Sequence, residues 1–355
     1  MLTEIILDSL SKLNQERSSA AVYHLLVGKR SSQTLQDAHI YHLTGYFGLA
    51  KGMEKQAFDE KIAKLVSKQY VHQTGDFVTV TEAGRSFLKS RVKSGNLDHF
   101  HGLVYDRVSD IFYERLSLFI QTATNIVSGN HRFIPVTDNQ EVLHWLKKYY
   151  AANRHRLEEI LNQLYGELLV YLNRLPEQYA EIFVKRLSGF SHIGLSKVQL
   201  AASYEMDKYE FLVVYQWILH RLLNYVTDEN IPTPVLATFA RGLVREVFLT
   251  DSARKTNELL KQGMDVKEIC RIRRLKESTV HDHLIEIAYA NPQFPLDNYV
   301  SPEAVREITG QMERLSSRKL KHIKQALNDR YTYLQIRLVL AIYREGWQKE
   351  WKHDG

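Results

Sequence analysis

Residues 263–288, GMDVKEICRIRRLKESTVHDHLIEIA, predict two short helices joined by a tight turn. Gly263 ends a preceding helix over 252–262, because glycine readily adopts the left-handed conformation that terminates many helices. Asp265 caps the first helix of the pair, since its carboxylate can accept from the free N–H groups of the first turn. The second helix is expected over about 277–289. This order is typical of a helix-turn-helix domain.

Apolar spacing assigns one face of each helix to a small core. In the first helix, Val266, Ile269 and Cys270 recur at spacings of three and four, and Leu275 fills the turn. The second helix carries a buried stripe made of Val280, Leu284, Ile287 and Ala288. Its outward N-terminal residues therefore lie where helix-turn-helix proteins meet base edges.

The outward side of this motif is rich in cations. Residues 253–278 hold eight Lys or Arg against four Asp or Glu, which suits a polyanionic partner. Phosphate contacts are predicted for Arg271, Arg273 and Arg274. Contacts at the start of the second helix are predicted for Lys276, Ser278 and His281. The acids of the same helix would repel phosphate, so a protein partner or a purely structural role stays open; they are Glu277, Asp282 and Glu286.

Composition limits the classes of protein further. The 355 residues carry a formal net charge of +6 and a single cysteine, Cys270, so no intrachain disulfide or multi-cysteine zinc site can form. The segment HDH at 281–283 is not expected to bind metal, because residues two apart on a helix do not share a face. No signal peptide or membrane-spanning stretch is evident, which favours a cytoplasmic protein.

The N-terminal residues, to about 92, predict three helices followed by a β-hairpin, the order of a winged helix. Ser18 caps a helix that stops at Gly28, Ser31 or Ser32 caps the second, and the third begins near Glu54. The third helix presents one broad apolar face formed by Phe58, Ile62, Leu65 and Val66.

Two cations precede the second of these helices in GKRSS, residues 28–32. Free N–H groups at a helix N-terminus attract phosphate, so this segment is a candidate DNA contact, with a solvated turn as the alternative. The predicted contacts here are Lys29, Arg30, Ser31 and Ser32. Surface lysines on or beside the third helix add Lys51 and Lys55 to the candidates.

The hairpin lies within QYVHQTGDFVTVTEAG, residues 69–84. A two-residue turn at Gly75-Asp76 pairs Thr74 with Phe77 and Val71 with Val80, and paired residues share a face. Phe77 and His72 then lie on the face opposite the buried valines and are candidate DNA contacts at the wing tip. The alternative is that the Phe77 ring folds back onto a neighbouring element.

The middle of the chain predicts further helices between two joints, 128–140 and 226–234. The helix over 208–226 is apolar almost all round and is expected to be a core helix, with partner docking or DNA contact as the alternatives. We therefore expect a mainly α protein with a winged-helix domain over 1–92, a helical middle domain over 93–234 and a helix-turn-helix domain over 235–355.

An enzyme is the least favoured class. The chain holds no G-x-x-x-x-G-K-[ST] phosphate loop, and no nucleophile–base pair or carboxylate cluster stands out by spacing. No cofactor and no metal are expected. Two DNA-binding folds would also serve a transcription regulator, which would normally be a symmetric dimer on a palindrome.

Specific segments resemble known families. YHLLVGKRSSQT, FDEKIAKLVSKQYV and VTVTEAG resemble the RQC winged helix of RecQ-family helicases, without the four-cysteine zinc module of larger RecQ proteins. Residues 252–288, FPLDNYVSPE and YTYLQIRLVLAIY resemble the helix-turn-helix domain at the C-terminus of many RecQ-type helicases.

The order of these modules resembles the Firmicute YpbB family, which is associated with the short RecQ-like helicase RecS. That resemblance implies an accessory subunit that supplies DNA-binding modules in trans for repair or recombination. The implied partners are DNA, contacted with little sequence preference, and the helicase; the implied location is the nucleoid.

Overall fold

The computed structural model describes residues 1–92, 97–228, 230–243, 249–291, 293–315 and 319–342. In these ranges the chain is mainly α-helical, with a single two-stranded sheet, as the sequence predicted. Buried apolar side chains from the N-terminal, middle and C-terminal regions belong to one continuous core. The three predicted regions therefore pack against one another.

The N-terminal region has the helix and strand order of a winged helix, preceded by one additional helix. Its elements are α1 (Leu2–Leu13), α2 (Ser19–Leu26), α3 (Ser32–Ile40), α4 (Lys55–Ser67), β1 (Val71–Thr74), β2 (Phe77–Val80) and α5 (Glu82–Val92). Gly28 follows α2 with φ +72°, as expected of a helix terminator. On α4, Val66 is 37% exposed, so its predicted place on the apolar face is wrong, because that face is narrower than its four apolar residues suggest.

The β-hairpin has the predicted register. Val71 pairs with Val80 and Thr74 with Phe77 in an antiparallel ladder. Val71, Val78 and Val80 are buried against the adjoining helices, because residues on one face of the ladder share the same side of the sheet. At the tip, the Ser19 N–H donates to the Asp76 carbonyl at 3.1 Å, which ties the turn to the start of α2.

The middle region is built around two long helices. It contains α6 (Gly102–Tyr105), α7 (Val108–Val127), α8 (Gln140–Asn153), α9 (Leu157–Leu172), α10 (Glu177–Lys185), α11 (Lys197–Ser203), α12 (Lys208–Thr227) and α13 (Leu236–Ala240). α12 is buried along its whole length and packs on α7, α10, α11 and α13, so the predicted core helix is confirmed. α13 lies beyond the predicted joint at 234 yet packs on α7, α9 and α12.

The C-terminal region consists of α14 (Asp251–Lys261), α15 (Val266–Arg273), α16 (Glu277–Ala290), α17 (Pro302–Arg314), α18 (Leu320–Ala326) and α19 (Tyr333–Ile342). α16 lies at its centre, between α14, α15 and α19. It also packs against α3 of the N-terminal region, so the second helix of the predicted pair joins the two ends of the chain.

Candidate nucleic-acid interface

The helix-turn-helix pair forms where the sequence predicted it. Asp265 accepts from the Glu268 N–H at 2.8 Å, and Glu268 accepts in return from the Asp265 N–H, a reciprocal capping box at the start of α15. Arg274 takes the left-handed conformation, φ 51°, that reverses the chain between the helices. α16 then begins at Glu277, although Lys276 at the N-cap makes no side-chain cap bond.

The inner faces of both helices build a small core. The predicted stripe of Val280, Leu284, Ile287 and Ala288 is buried, and Ile269 faces it from α15. Cys270 is only half-buried, so its predicted place as a core residue is met in part. This core fixes which side of α15 and α16 faces outward.

The exposed edge of the turn is cationic. Arg271, Arg274 and Lys276 extend into solvent, and within the ranges that the structure describes none of the three has a hydrogen-bonding or ion-pair partner. Ser278 is exposed beside them, and His281 Nε2 lies 3.3 Å from Glu277 Oε1 one turn earlier. Cations without a protein partner are available to neutralise phosphate, so this edge is the part of the motif best placed to bind DNA.

Arg273 is oriented differently from its two predicted companions. Its guanidinium donates to the Ser252 carbonyl at 2.7 Å and to the Thr256 hydroxyl, which fixes the end of α15 to α14. Thr256 Oγ1 is also 2.8 Å from His283 Nδ1, and burial together with the charge of Arg273 lowers the pKa of that imidazole. Arg273 thus holds the motif together, and its predicted phosphate contact remains a prediction.

The outer stripe of α16 is covered from its second turn onward. Arg337 donates to Asp282 Oδ1 at 2.7 Å and to Gln36 Oε1 of α3 at 2.9 Å. His39 of α3 stacks on Tyr289, with ring centroids 4.0 Å apart and planes 8° from parallel. In a DNA-bound helix-turn-helix this stripe would face the groove. Here it forms the contact between the two ends of the chain.

The acids of α16 have partners inside the protein. Asp282 is held by Arg337, and Glu286 accepts from both the backbone N–H and the hydroxyl of Thr250, the cap of α14. Burial raises the pKa of Glu286, and these hydrogen bonds and the charge of Arg30 oppose the rise. Local sequence patterns could not predict these pairings, because Arg337 lies 55 residues from Asp282.

In the N-terminal region, only part of the predicted cation set faces solvent freely. Lys29 is exposed, with Nζ 3.4 Å from His24 Nε2. Arg30 and Lys51 both form ion pairs with the buried carboxylate of Asp106. Burial would raise the pKa of Asp106, but the hydrogen bonds from the two cations lower it overall. Asp106 was not a candidate from sequence, because it lies far along the chain from both cations.

The remaining N-terminal candidates lie either at the start of α3 or on the surface. Ser31 caps α3 by accepting from the Thr34 N–H at 3.2 Å, and Ser32 is the first residue of that helix. Lys55 pairs with Asp59 on the surface of α4. At the wing tip, His72 is exposed and Phe77 is 45% exposed, on the side of the sheet away from the buried valines.

Comparisons with known proteins agree with this architecture. Residues 252–340 match the family described as a helix-turn-helix domain, and these residues correspond to α14–α19. The chain is thus a DNA-binding protein of the helix-turn-helix class.

Over 340 residues it is 32% identical to Protein YpbB of Bacillus subtilis (strain 168), with 95% of this chain and 96% of that protein covered. The chain belongs to the YpbB family. No solved structure matches it. Among the helices that the structure describes, none is long and apolar enough to cross a membrane.

Proposed function

We propose that this protein is a non-enzymatic accessory subunit of a RecQ-type, RecS-like helicase, to which it supplies DNA-binding modules in trans for repair or recombination. It acts in the cytoplasm at the nucleoid. Membership of the YpbB family supports the assignment, together with the resemblance of two segments to the DNA-binding domains that follow the motor in RecQ-type helicases.

The observation that carries the mode of DNA binding is the covered stripe of α16. Ile285 and Tyr289 are buried against α3, and Asp282, which is partly exposed, is held by Arg337, so the outer stripe of α16 beyond its first turn is covered. What stays exposed is the cation edge of Arg271, Arg274 and Lys276. Phosphate contacts position a protein on DNA without carrying sequence information, so this edge favours binding with little sequence preference.

The alternative function, transcription regulation, requires exposed base-reading residues on α16. A regulator reads base edges with the first turns of its second helix and usually pairs two copies on a palindrome. Only Ser278 and its neighbours at the start of α16 are accessible for such reading. Selection of bound sequences from random DNA separates the two functions: an enriched palindrome bound by a dimer would establish the regulator and remove the accessory subunit.

The proposal is tested by co-purification and unwinding. The full chain, immobilised, should retain the RecS-like helicase of the same organism, and adding the chain should increase unwinding of a 3′-tailed duplex. Arg271→Ala/Arg274→Ala/Lys276→Ala should reduce the stimulation while retaining the helicase. The matched control is Arg85→Ala/Lys185→Ala/Lys324→Ala, which removes three cations that already pair with neighbouring carboxylates. Failure to retain the helicase, with no stimulation, would overturn the proposal.

A further inference from the structure

An acid-free cationic segment lies in the middle region, outside the wing and the helix-turn-helix. Residues 142–157, VLHWLKKYYAANRHRL, contain four Lys or Arg, two His and no Asp or Glu. They form most of α8 and the short 3-10 helix, Arg154–Arg156, that follows it. A surface of one charge sign attracts a partner of the opposite sign when nothing in the protein neutralises it.

His144, Lys147 and Lys148 lie on the exposed side of α8, and Arg154 and His155 lie in the turn that follows the helix. Positions three and four apart on a helix share a face, and the exposed side chains follow that spacing, while Val142 and Leu146 are buried on the other side. We call this surface the α8 patch; it consists of His144, Lys147, Lys148, Arg154 and His155. From His144 to Asn153 the helix rises about 14 Å, close to the roughly 12 Å width of a DNA major groove.

The patch is not neutralised from within. Lys147, Lys148 and Arg154 have no ion-pair or hydrogen-bonding partner among the residues that the structure describes. Arg156 differs, since it donates twice to Glu159, at 2.9 and 2.7 Å. Some exposed cations elsewhere, such as Lys185 with Glu181, have a carboxylate beside them. The α8 patch therefore presents its charge to an external partner.

The chemistry of the patch fits a phosphodiester backbone better than a protein surface. Between the cations lie Ala151 and Ala152, both exposed, whose short side chains allow a backbone to approach the helix closely. No large apolar side chain is exposed anywhere from residue 137 to 164. Protein interfaces rely on buried aromatic or apolar anchors, and this surface offers none.

We propose that the α8 patch is a third nucleic-acid contact, separate from the wing and the helix-turn-helix, which binds the phosphate backbone without reading sequence. This inference rests on the proposed DNA-binding function and adds a binding surface to it. It assigns the middle region a direct role on DNA in addition to holding the two terminal modules.

The test measures the salt dependence of DNA binding by the full chain. Each phosphate contact contributes about −0.9 to the slope of log K against log salt for duplex DNA. Lys147→Gln/Lys148→Gln/Arg154→Gln should therefore reduce the magnitude of the slope by about 2–3 and weaken binding at 0.1 M salt by at least about tenfold. The control is Arg85→Gln/Lys185→Gln/Lys324→Gln, which changes the net charge equally and should lower the slope by less than about 1.

One further variant separates the effect of charge from the effect of misfolding. Lys147→Arg/Lys148→Arg keeps both charges and should bind DNA as the wild type does. All of these positions are exposed, so the melting temperature should stay within about 2 °C of the wild type. A glutamine triple variant that folds, and that binds DNA with the wild-type slope, would overturn the inference.

The outcomes also separate this inference from the proposed function. If the glutamine variant of the patch binds DNA with the wild-type salt slope, while Arg271→Ala/Arg274→Ala/Lys276→Ala still reduces DNA binding, only the α8 patch is rejected. Loss of helicase retention with unchanged DNA binding also rejects it, because the patch would then be a protein-docking surface. A wild-type chain that binds no DNA at any salt rejects both.

Discussion

The two terminal modules are held in the protein in different ways. The N-terminal module is anchored to the middle region by partly buried polar contacts: the amino terminus donates to Glu210 at 2.6 Å, and the Glu54 N–H donates to the Tyr209 hydroxyl at 3.3 Å. The helix-turn-helix meets the N-terminal module through the polar contacts of Arg337 and a ring stack. Beside them, Gln36 Nε2 and the Tyr289 hydroxyl are buried, and neither has a hydrogen-bonding partner among the residues that the structure describes.

This difference gives different roles to the two contacts between modules. A buried polar atom without a partner costs about 1–3 kcal/mol, which lowers the stability of the contact between α3 and α16. The same contact covers the outer stripe of α16, whereas the wing tip stays open. The wing can therefore meet DNA without any rearrangement, and α16 can insert fully into a groove only after it separates from α3.

The first prediction concerns the anchored module and has the largest effect. Asp106→Ala leaves Arg30 and Lys51 without their shared carboxylate, which is 3% exposed, and should lower the free energy of unfolding by about 3 kcal/mol. The neighbouring exposed cation provides the control: Lys29→Ala should change stability by less than about 0.5 kcal/mol and weaken all DNA ligands alike. Urea denaturation measures the stability of both variants, and a DNA titration measures the binding by Lys29→Ala. Unchanged stability in Asp106→Ala would place Arg30 and Lys51 among the free DNA contacts.

The second prediction concerns the pH dependence of stability at His220, a buried residue of the middle region. Burial, with the nearby His101 and Lys51, lowers the pKa of His220 to about 3, whereas an unfolded histidine titrates near 6.5. Between these values the unfolded chain binds the extra proton, so stability falls as pH falls, by about 1.4 kcal/mol per unit between pH 6 and 4. In His220→Asn, which keeps a hydrogen-bond acceptor, that share of the pH dependence should disappear. Identical pH dependence in variant and wild type would contradict it.

The third prediction tests the open wing. Phe77→Ala should weaken binding to forked or 3′-tailed DNA by about 1–3 kcal/mol, because a base stacks on an exposed ring, and should affect blunt duplex less. The melting temperature should be nearly unchanged, since the ring is 45% exposed. Val78→Ala, on the buried face of the same strand, should show the reverse pattern. A large loss of stability in Phe77→Ala, with equal weakening for every DNA form, would indicate a core residue.

The smallest effect is expected at the contact between α3 and α16. Arg337→Ala removes the donor to Asp282 and Gln36 and should destabilise the contact by about 1 kcal/mol, because the pair is partly exposed. Hydrogen exchange of the backbone amides should accelerate about fivefold in the part of α16 that contacts α3. Arg330→Ala, whose partner is Glu307 on the surface, is the control and should leave α16 unchanged. No acceleration in Arg337→Ala would show that the stack of His39 on Tyr289 holds the contact by itself.

The sequence alone determined the local elements. Asp265 and Ser31 cap the helices that they were expected to cap, the hairpin has its predicted register, and the apolar helix over 208–226 is the core of the middle region. These features follow from short-range rules, since a cap acts within one turn and strand parity within one hairpin. The long helix α7 was not singled out from sequence, although it packs against that core helix.

Only the tertiary structure decided which of the outward residues are available. Sequence spacing placed Arg273, Arg274 and Asp282 on outer faces, but Arg273 turns back to α14 and Asp282 binds Arg337 of α19. Arg30 and Lys51 likewise converge on Asp106. Each of these pairings joins residues from 17 to 76 positions apart. Periodicity reports the direction of a side chain from its own helix, and it contains no information about what another part of the chain brings to that side.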